Sequence, residues 1–504
     1  MSGSNTRLIC PLTASSPAAM REAMTAAAER GADTVECRLD LLTRIPTDEQ
    51  LRQLLADPPV EVIATCRPTR EGGRFEGNEA RRLDLLARAA DLGARAVDIE
   101  IDAPPQSRPT AAAIILSHHD FQQIPADLDA TLAEMEASTA AVNKIAFAAA
   151  GPEDALRALD LLRACKKPTI ALAMGQAGAI SRILAKKFGA YGTFAALAPQ
   201  ARSAPGQPTI EEFRDLYRWD SITPATAAYG VIGCPVAHSM SPAIHNAAFA
   251  AADLNAVYVP VLIEPGADNF NRFMDALLER PWMDWRGLSV TIPHKENALA
   301  YVGAQNSEEL AVKIGAVNTI TISPAGGLRG DNTDYAAAID ALCGAMGIGR
   351  QGLAGRNVAV LGAGGVARAV VAALVHYQAQ VTIYNRTVSR GEKLAEEFGA
   401  RAASRRDLGG LEAEIVINCT SIGMHPNVHA CALAEIPPSV KVVFDTVYNP
   451  VQTQLLIRAS AAGCKTVSGL EMFLNQAVAQ FEAWTQTKAP RQVMRQVVVT
   501  KLQI

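Results

Sequence analysis

The run VNKIAFAAA sets Lys144 among Val142, Ile145, Ala146 and Phe147, and a lysine so placed invites chemistry. Burial in an apolar interior disfavours the ammonium, and a neutral amine can attack a ketone to form a Schiff base. The other course open to Lys144 is an ion pair with Glu36 and nothing more. The preceding strand-like run, AIILSHHDF, carries His118 and His119, which titrate near neutrality and can move protons. Side chains alternate along a strand, so only one of the two faces inward. Glu36 and Arg38, two apart in TVECRLDL, share a face, as a buried salt bridge or as part of a site.

A second set of candidates follows later in the chain. GVIGCPVAHSMSPAIHN puts Ser239 and Ser241 ahead of a helix begun by Pro242, where hydroxyls either cap the helix or help form a pocket for a carboxylate. GLSVTIPHKENA places Lys295, and GDNTDYAAA places Asp334, at strand-to-helix junctions. Brought together across a cleft, a Lys/Asp pair can exchange a proton with a hydroxyl as hydride leaves the neighbouring carbon. VAVLGAGGVARA supplies Gly362, Ala363, Gly364 and Gly365 between a strand and a helix, with Ala367 where a third glycine often stands. Backbone amides at such a helix start can face a pyrophosphate. The next strand ends in Asn385, Arg386 and Thr387, and an arginine where an acid would select NAD favours the 2′-phosphate of NADP.

These residues need elements to hold them. Up to about residue 200 the sequence repeats a β-branched apolar run, a polar turn and an Ala/Leu/Arg-rich stretch of helical period. The candidate strands are TRLICPL, TVECRLDL, EVIATCRP, AVDIEI, AIILSHHDF, VNKIAFAAA, TIALAMG and YGTFAAL. Eight strand–helix units argue for a closed (β/α)₈ barrel, whose working residues sit at the C-terminal ends of its strands. Residues 1–220 are therefore expected to form the barrel, with SITPATAA as a linker. An α/β lobe is expected over 229–335, rejoined by a C-terminal helical segment, 470–504. The Gly-rich turn predicts a doubly wound nucleotide-binding domain over 336–469.

Composition bounds the function. At 504 residues the chain has room for about three domains. Its 49% apolar and 19% charged content is that of ordinary globular proteins, which excludes disorder as the main state. Lys plus Arg number 47 against 51 Asp plus Glu, so neither nucleic acid nor an anionic membrane is an expected partner. The opening MSGSNTRLIC lacks a basic start, an apolar stretch and a cleavage site, so a cytoplasmic location is expected. Nine cysteines without CxxC spacing read as reduced thiols, and no metal site is expected.

Taken in order, ECRLD, CRPTREGG, SHHDF, NKIAF, SRILAKKFG and SAPGQPT resemble type I 3-dehydroquinate dehydratase across nearly the whole first domain. The resemblance implies that Lys144 forms an imine with the substrate ketone, that His119 is the general acid/base and that Glu36 hydrogen-bonds His119. It also implies that Arg38, Arg67, Arg182, Ser203 and Gln207 hold substrate hydroxyls and carboxylate. Arg182, with its planar fork, is the natural carboxylate clamp. PVAHSMSP, VTIPHK, GAVNT, GDNTD, GAGGVARA, NRT, NCTSIGM and GLEMFLNQA similarly resemble shikimate dehydrogenase over almost all of residues 229–490. That likeness implies Lys295 and Asp334 as the catalytic pair. It implies Ser239, Ser241, Thr291, Asn318, Asp334, Tyr448 and Gln476 as shikimate ligands. The glycine loop with Asn385, Arg386, Thr387 and Arg390 would hold NADP. The joined order resembles the fused shikimate-pathway enzymes, an α/β architecture of TIM barrel, substrate lobe and Rossmann domain. They dehydrate 3-dehydroquinate and reduce 3-dehydroshikimate to shikimate with NADPH. The rival is a quinate/shikimate dehydrogenase whose inactive barrel serves as a metabolite-binding or regulatory scaffold.

Overall fold

Inward and outward side chains alternate along a set of short parallel strands, and this alternation builds the first part of the molecule. In the computed structural model, which describes residues 6–237 and 239–502, these strands are β1 (Arg7–Leu12), β2 (Thr34–Arg38), β3 (Glu61–Thr65), β4 (Ala96–Glu100), β5 (Ala113–Asp120), β6 (Val142–Ala148), β7 (Thr169–Met174) and β8 (Gly192–Phe194). They run in the order β7-β6-β5-β4-β3-β2-β1-β8. β1 pairs with both β2 and β8, and Tyr191 N donates to Thr169 O at 2.8 Å across the remaining seam, so the barrel is nearly closed. Ile9, Ile63, Ala96, Ile115, Val142, Ile170 and Phe194 pack together inside it. Two residues further along, the same faces turn polar: Thr65 after Ile63, Asp98 after Ala96, Ser117 after Ile115 and Lys144 after Val142.

The strand–helix rhythm fails once. Between β4 and β5 the chain makes only a single 3₁₀ turn, Pro105–Ser107, where a full helix was expected. The segment IDAPPQSRPTAA is short and carries Pro104, Pro105 and Pro109, which lack the amide hydrogens that an α-helix uses.

The chain divides into two compact units, Met1–Pro242 with Asn255–Trp285, and Ala243–Leu254 with Arg286–Ile504. The first unit continues past the barrel into β9 (Ala227–Gly233) and β10 (Ala256–Leu262), paired in parallel. The segment expected as a linker is tied down: Lys187 Nζ donates to Pro224 O (3.1 Å) and Thr226 O (2.6 Å). Arg280 pairs with Asp160 at 2.8 Å and Arg272 with Glu153 at 2.7 Å. The Arg163 guanidinium lies 4.8 Å from the Trp282 ring centre, and Phe188 meets the same ring edge-on.

The second unit holds two sheets. β11 (Trp285–Val290), which starts at the unit boundary, pairs antiparallel with β12 (Thr319–Ile322), and β12 with β13 (Leu328–Asp331). Next come β14 (Asn357–Leu361), β15 (Gln380–Asn385), β16 (Arg401–Ser404), β17 (Ile415–Asn418), β18 (Val442–Asp445) and β19 (Lys465–Ser468). All are parallel, in the order β16-β15-β14-β17-β18-β19. The order reverses beside β14, and open α/β sheets bind ligands at such a point. Among the described residues no helix is long and apolar enough to cross a membrane.

The helix Gly469–Thr485 starts hard against β18. A Cβ on Gly469 would lie 2.4 Å from Thr446 O and 2.5 Å from Val447 O, backbone atoms that cannot give way cheaply. Gly469→Ala should therefore cost roughly 1 to 3 kcal/mol, read as a lower urea midpoint. An unchanged midpoint would mean that the helix start is free to shift.

Candidate functional site

The barrel gathers its ionisable groups just past the apolar plug. Lys144 Nζ donates to Asp98 Oδ2 at 2.7 Å and to Glu36 Oε1 at 3.4 Å, and lies 4.6 Å from the centre of the Phe194 ring. The apolar surroundings expected for Lys144 are therefore corrected: two carboxylates face its amine. The cause is geometric, since Ile145 and Phe147 point to the opposite face of β6 and the groups around Nζ come from other strands. Arg67 NH2 pairs with Asp98 Oδ1 at 2.7 Å, and Arg67 NH1 with Glu100 Oε1 at 2.7 Å. Ser117 Oγ donates to Asp98 Oδ1 at 2.6 Å. Burial pushes the Asp98 carboxyl up, but Arg67 and Lys144 outweigh it and hold it well below the usual carboxylate range.

His119 follows Ser117 by two on β5 and so shares its face, opposite to that of His118. Its Nδ1 lies 2.9 Å from Glu71 Oε2, and its ring stacks on Phe121. The expected hydrogen bond from Glu36 to His119 is therefore corrected. Glu36 is occupied by Thr65 Oγ1 (2.9 Å) and Lys144, and Glu71, from the turn after β3, is the carboxylate that meets the imidazole. Burial, reinforced by Arg67 and Lys144, holds the imidazole well below its ordinary pKa. Burial also pushes the Glu71 carboxyl up, to about 7, against the pull of Arg67.

The remaining barrel candidates divide into engaged and unengaged groups. Arg38 is clamped by Asp40 through two bonds, at 2.9 and 2.8 Å. Arg182, in the short helix after β7, is 3% exposed, its Nε lacks a partner, and no ion pair holds it among the described residues. Burial alone pulls its guanidinium down to about 10. Gln207, after β8, is buried, with Oε1 accepting from Ser203 N and Oγ while its Nε2 has no partner. A buried cation and a buried amide donor, both unpaired, are what an anionic, hydroxylated ligand would satisfy. Sequence reasoning missed Asp98, Glu100 and Glu71. The two acids of AVDIEI stand two apart, a signal that could have placed both on the inner face.

Ser239 lies after β9 and Ser241 opens the helix Ser241–Ala251, where Ser241 N donates to Ser239 Oγ at 3.2 Å; both are in the first unit. In the second unit, Lys295 opens the helix Lys295–Val302 and Asp334 lies in the first turn of the helix Thr333–Met346, capped by Asn332. Nζ and Oδ2 of this pair are 2.5 Å apart, with both side chains partly open to solvent. Asn318 is buried: its Oδ1 accepts from Thr333 N at 2.8 Å, and its backbone oxygen accepts from Val290 N at 2.7 Å. It thus ties the end of β11 to the helix that carries Asp334. Thr291 is half-buried just past β11, and His294 N donates to its backbone oxygen. Tyr448 stacks on Phe473, and Gln476 is half-buried on the helix Gly469–Thr485. On that helix Gln480, not singled out from sequence, bonds Ser289 and Thr319.

At the reversal point Gly362 takes φ +108, a conformation that favours glycine, and a Cβ there would meet Thr420 at 3.0 Å. Nothing lies within 4 Å of the Cβ positions of Gly364 and Gly365, so the helix start they form with Ala363 leaves room for a phosphate. Asn385 Nδ2 donates to Thr387 O at 2.8 Å and shapes the turn after β15. Arg386 and Arg390 are exposed and engage no acid among the described residues. A cleft of about 230 Å³ is lined by Leu361, Tyr384, Asn385, Arg386, Arg405 and Thr420. Arg405 is a basic residue there that sequence reasoning did not single out. A larger groove, of about 620 Å³, contains none of the candidates, and its Arg491 is already paired with Glu471.

Comparison with known proteins matches each part of the chain. Residues 8–224 match the type I 3-dehydroquinase family and 231–320 the shikimate dehydrogenase substrate binding domain. Residues 347–445 match shikimate / quinate 5-dehydrogenase, and 469–499 the shikimate 5′-dehydrogenase C-terminal domain. The chain is 39% identical over 520 residues to the bifunctional 3-dehydroquinate dehydratase/shikimate dehydrogenase, chloroplastic, of Arabidopsis thaliana, covering 98% of this chain and 84% of that one. It is 40% identical over 286 residues to the shikimate dehydrogenase (NADP(+)) of Methanosarcina barkeri, covering 55% of this chain and 99% of the relative. A solved shikimate 5-dehydrogenase from Thermus thermophilus, in complex with NADP(H) and shikimate, is 33% identical over 55% of this chain and 99% of its own, with a TM-score of 0.48. On the strength of the near full-length identity, this chain belongs to the bifunctional 3-dehydroquinate dehydratase/shikimate dehydrogenase family.

Proposed function

We propose that the barrel dehydrates 3-dehydroquinate through an imine on Lys144 and that the remainder of the chain reduces the product, 3-dehydroshikimate, to shikimate with NADPH. The observation that carries the first half is the buried, unpaired Arg182, which awaits a carboxylate at the same end of the barrel strands as Lys144 and His119. The domains that go with this reading are the barrel (1–220), a shikimate lobe (229–335 with 470–504) and the nucleotide domain (336–469), in keeping with the family matches. Small-molecule substrates fit both sites. That the enzyme works in the cytoplasm, without nucleic acid or membrane, is part of the proposal.

In the barrel, Nζ of Lys144 attacks the ketone carbon and water leaves, giving an imine that stabilises negative charge on the adjacent carbon. His119 removes a proton from that carbon and delivers it to the departing hydroxyl, and a water then hydrolyses the product imine and frees Lys144, so one water is lost overall. Glu71 steadies the imidazolium formed between the two transfers. Arg182, Gln207 and Ser203 hold carboxylate and hydroxyls. In the second unit, Lys295 and Asp334 hold the proton that joins the carbonyl oxygen of 3-dehydroshikimate. Thr291, Asn318, Tyr448 and Gln476 bind its ring substituents. NADPH, when bound, supplies the hydride. Gly362, Ala363, Gly364 and Gly365 fit its pyrophosphate, while Asn385, Arg386, Thr387 and Arg390 fit the adenosine ribose and its 2′-phosphate.

Borohydride added with 3-dehydroquinate should leave a stable mass adduct on the peptide that carries Lys144. An adduct elsewhere, or none while dehydration proceeds, removes the imine mechanism. Because Glu71 exchanges its proton near pH 7, and only its ionised form supports the imidazolium, kcat/KM for dehydration should rise through about that pH. Glu71→Gln should abolish the inflection and slow the reaction by roughly 100-fold; an inflection that survives the substitution belongs to another group. Arg386→Ala should raise the KM for NADPH by roughly 10- to 150-fold, the value of about 1.5 to 3 kcal/mol for a charged hydrogen bond, and leave NADH kinetics unchanged. Unaltered NADPH kinetics in this variant would show that the end of β15 does not read the phosphate.

A further inference from the structure

Arg82 is a fully buried arginine on the helix Glu79–Asp91, which packs on β3 and β4, and the roles given above leave it without a task. We propose that Arg82 is a positioning residue for the dehydration: it holds Arg67 and, through it, the carboxylate that aims Lys144. The inference rests on the imine reading of the barrel.

The connection is a series of ion pairs in which each acid gives one oxygen to each neighbour. Arg82 NH1 lies 2.7 Å from Glu100 Oε2, an ionic contact without hydrogen-bond alignment, and Arg67 NH1 donates to Glu100 Oε1 at 2.7 Å. Arg67 NH2 lies 2.7 Å from Asp98 Oδ1, and Asp98 Oδ2 lies 2.7 Å from Lys144 Nζ. Arg82 NH1 also donates to Cys66 O at 2.9 Å, so the same guanidinium fixes the backbone immediately before Arg67. Its own orientation is set by a forked pair with Glu79, at 3.0 and 2.6 Å.

Stability does not explain such an arrangement, because a buried ion pair replaced by apolar side chains of similar volume is often neutral or stabilising. Geometry does. Without Arg82, Glu100 keeps Arg67 as its single cation and draws it away from Asp98. Asp98 then keeps only Ser117 and Lys144 of the three groups that orient it, and the amine it holds is aimed less firmly. A small misplacement of a reacting atom is enough to slow a reaction severely.

The test compares wild type with Arg82→Met, Arg82→Lys and Glu100→Gln, using three readouts on the full chain. These are kcat and KM for dehydration, the rate of borohydride labelling of Lys144 at saturating 3-dehydroquinate, and shikimate oxidation with NADP⁺ as an internal control of folding. Arg82→Met should lower kcat and the labelling rate together by roughly 10- to 100-fold. KM should stay within about threefold, shikimate oxidation should be unchanged, and Arg82→Lys should recover most of the loss. Should Arg82→Met fail to fold, Glu100→Gln, which keeps the shape but breaks the series, must show the same split. Wild-type kcat and labelling in folded Arg82→Met, a change in KM alone, or wild-type kcat in Glu100→Gln when Arg82→Met does not fold, would each overturn the proposal. A wild type that dehydrates without labelling brings down the imine reading itself, an outcome distinct from a labelled wild type with unaffected variants.

Discussion

A barrel interior has almost no water to solvate charge, so an ionised group inside is costly unless another ionised group lies within bonding distance. Asp98 meets this demand twice over, with Arg67 on one oxygen and Lys144 on the other. The rest of the site follows from that condition. Arg67 needs a second acid, which Glu100 supplies. Lys144 is held by carboxylates on two different strands, β4 and β2, and cannot swing into the plug beneath it. Burial, with the cations adding to it, keeps the neighbouring imidazole uncharged, which is the form that accepts a proton. Removing one member of such a network leaves its partner charged and bare, which typically costs about 3 to 5 kcal/mol.

The arginines divide along the same principle. Arg38 and Arg67 carry acids of their own, while Arg182 has no ion-pair partner among the described residues. In the nucleotide domain the contrast recurs on an open surface. Arg368 is engaged by Glu397 and by Ile314 O, whereas Arg386 and Arg390 engage no acid among the described residues. Exposure makes an unpaired arginine cheap, so the buried one is the stronger sign of a missing anion.

Much of this was legible in the sequence, and what was not has a common cause. Eight runs of β-branched residues became eight strands, and the inward face of each could be read from its period of two. His119 shares its face with Ser117 for that reason. The environment of Lys144 was misread because Ile145 and Phe147 point away from it, while the groups that matter, Asp98 and Glu36, come from other strands. Pairing His119 with Glu36 instead of Glu71 is an error of the same kind, since which carboxylate reaches an imidazole depends on where a loop returns. The missing helix between β4 and β5 was signalled by its prolines and overridden by the regularity of its surroundings.

The surface where the barrel meets the segment after it has a bearing on how the two enzymes are joined. Trp282 is covered by Phe188 and Arg163, while Arg280 and Arg272 neutralise Asp160 and Glu153 on the outer helix of the barrel. A barrel cut free at the Pro224–Thr226 connection would carry a bared Phe188 ring, a Glu153 without Arg272, and an Asp160 left with Arg157 alone. Its own catalytic groups would all remain. The joint is thus asymmetric: the barrel's outer helix Pro152–Ala164 and Phe188 rest on side chains supplied from beyond the connection, so the cost of separating the two falls on the barrel's outer surface, away from the groups inside it.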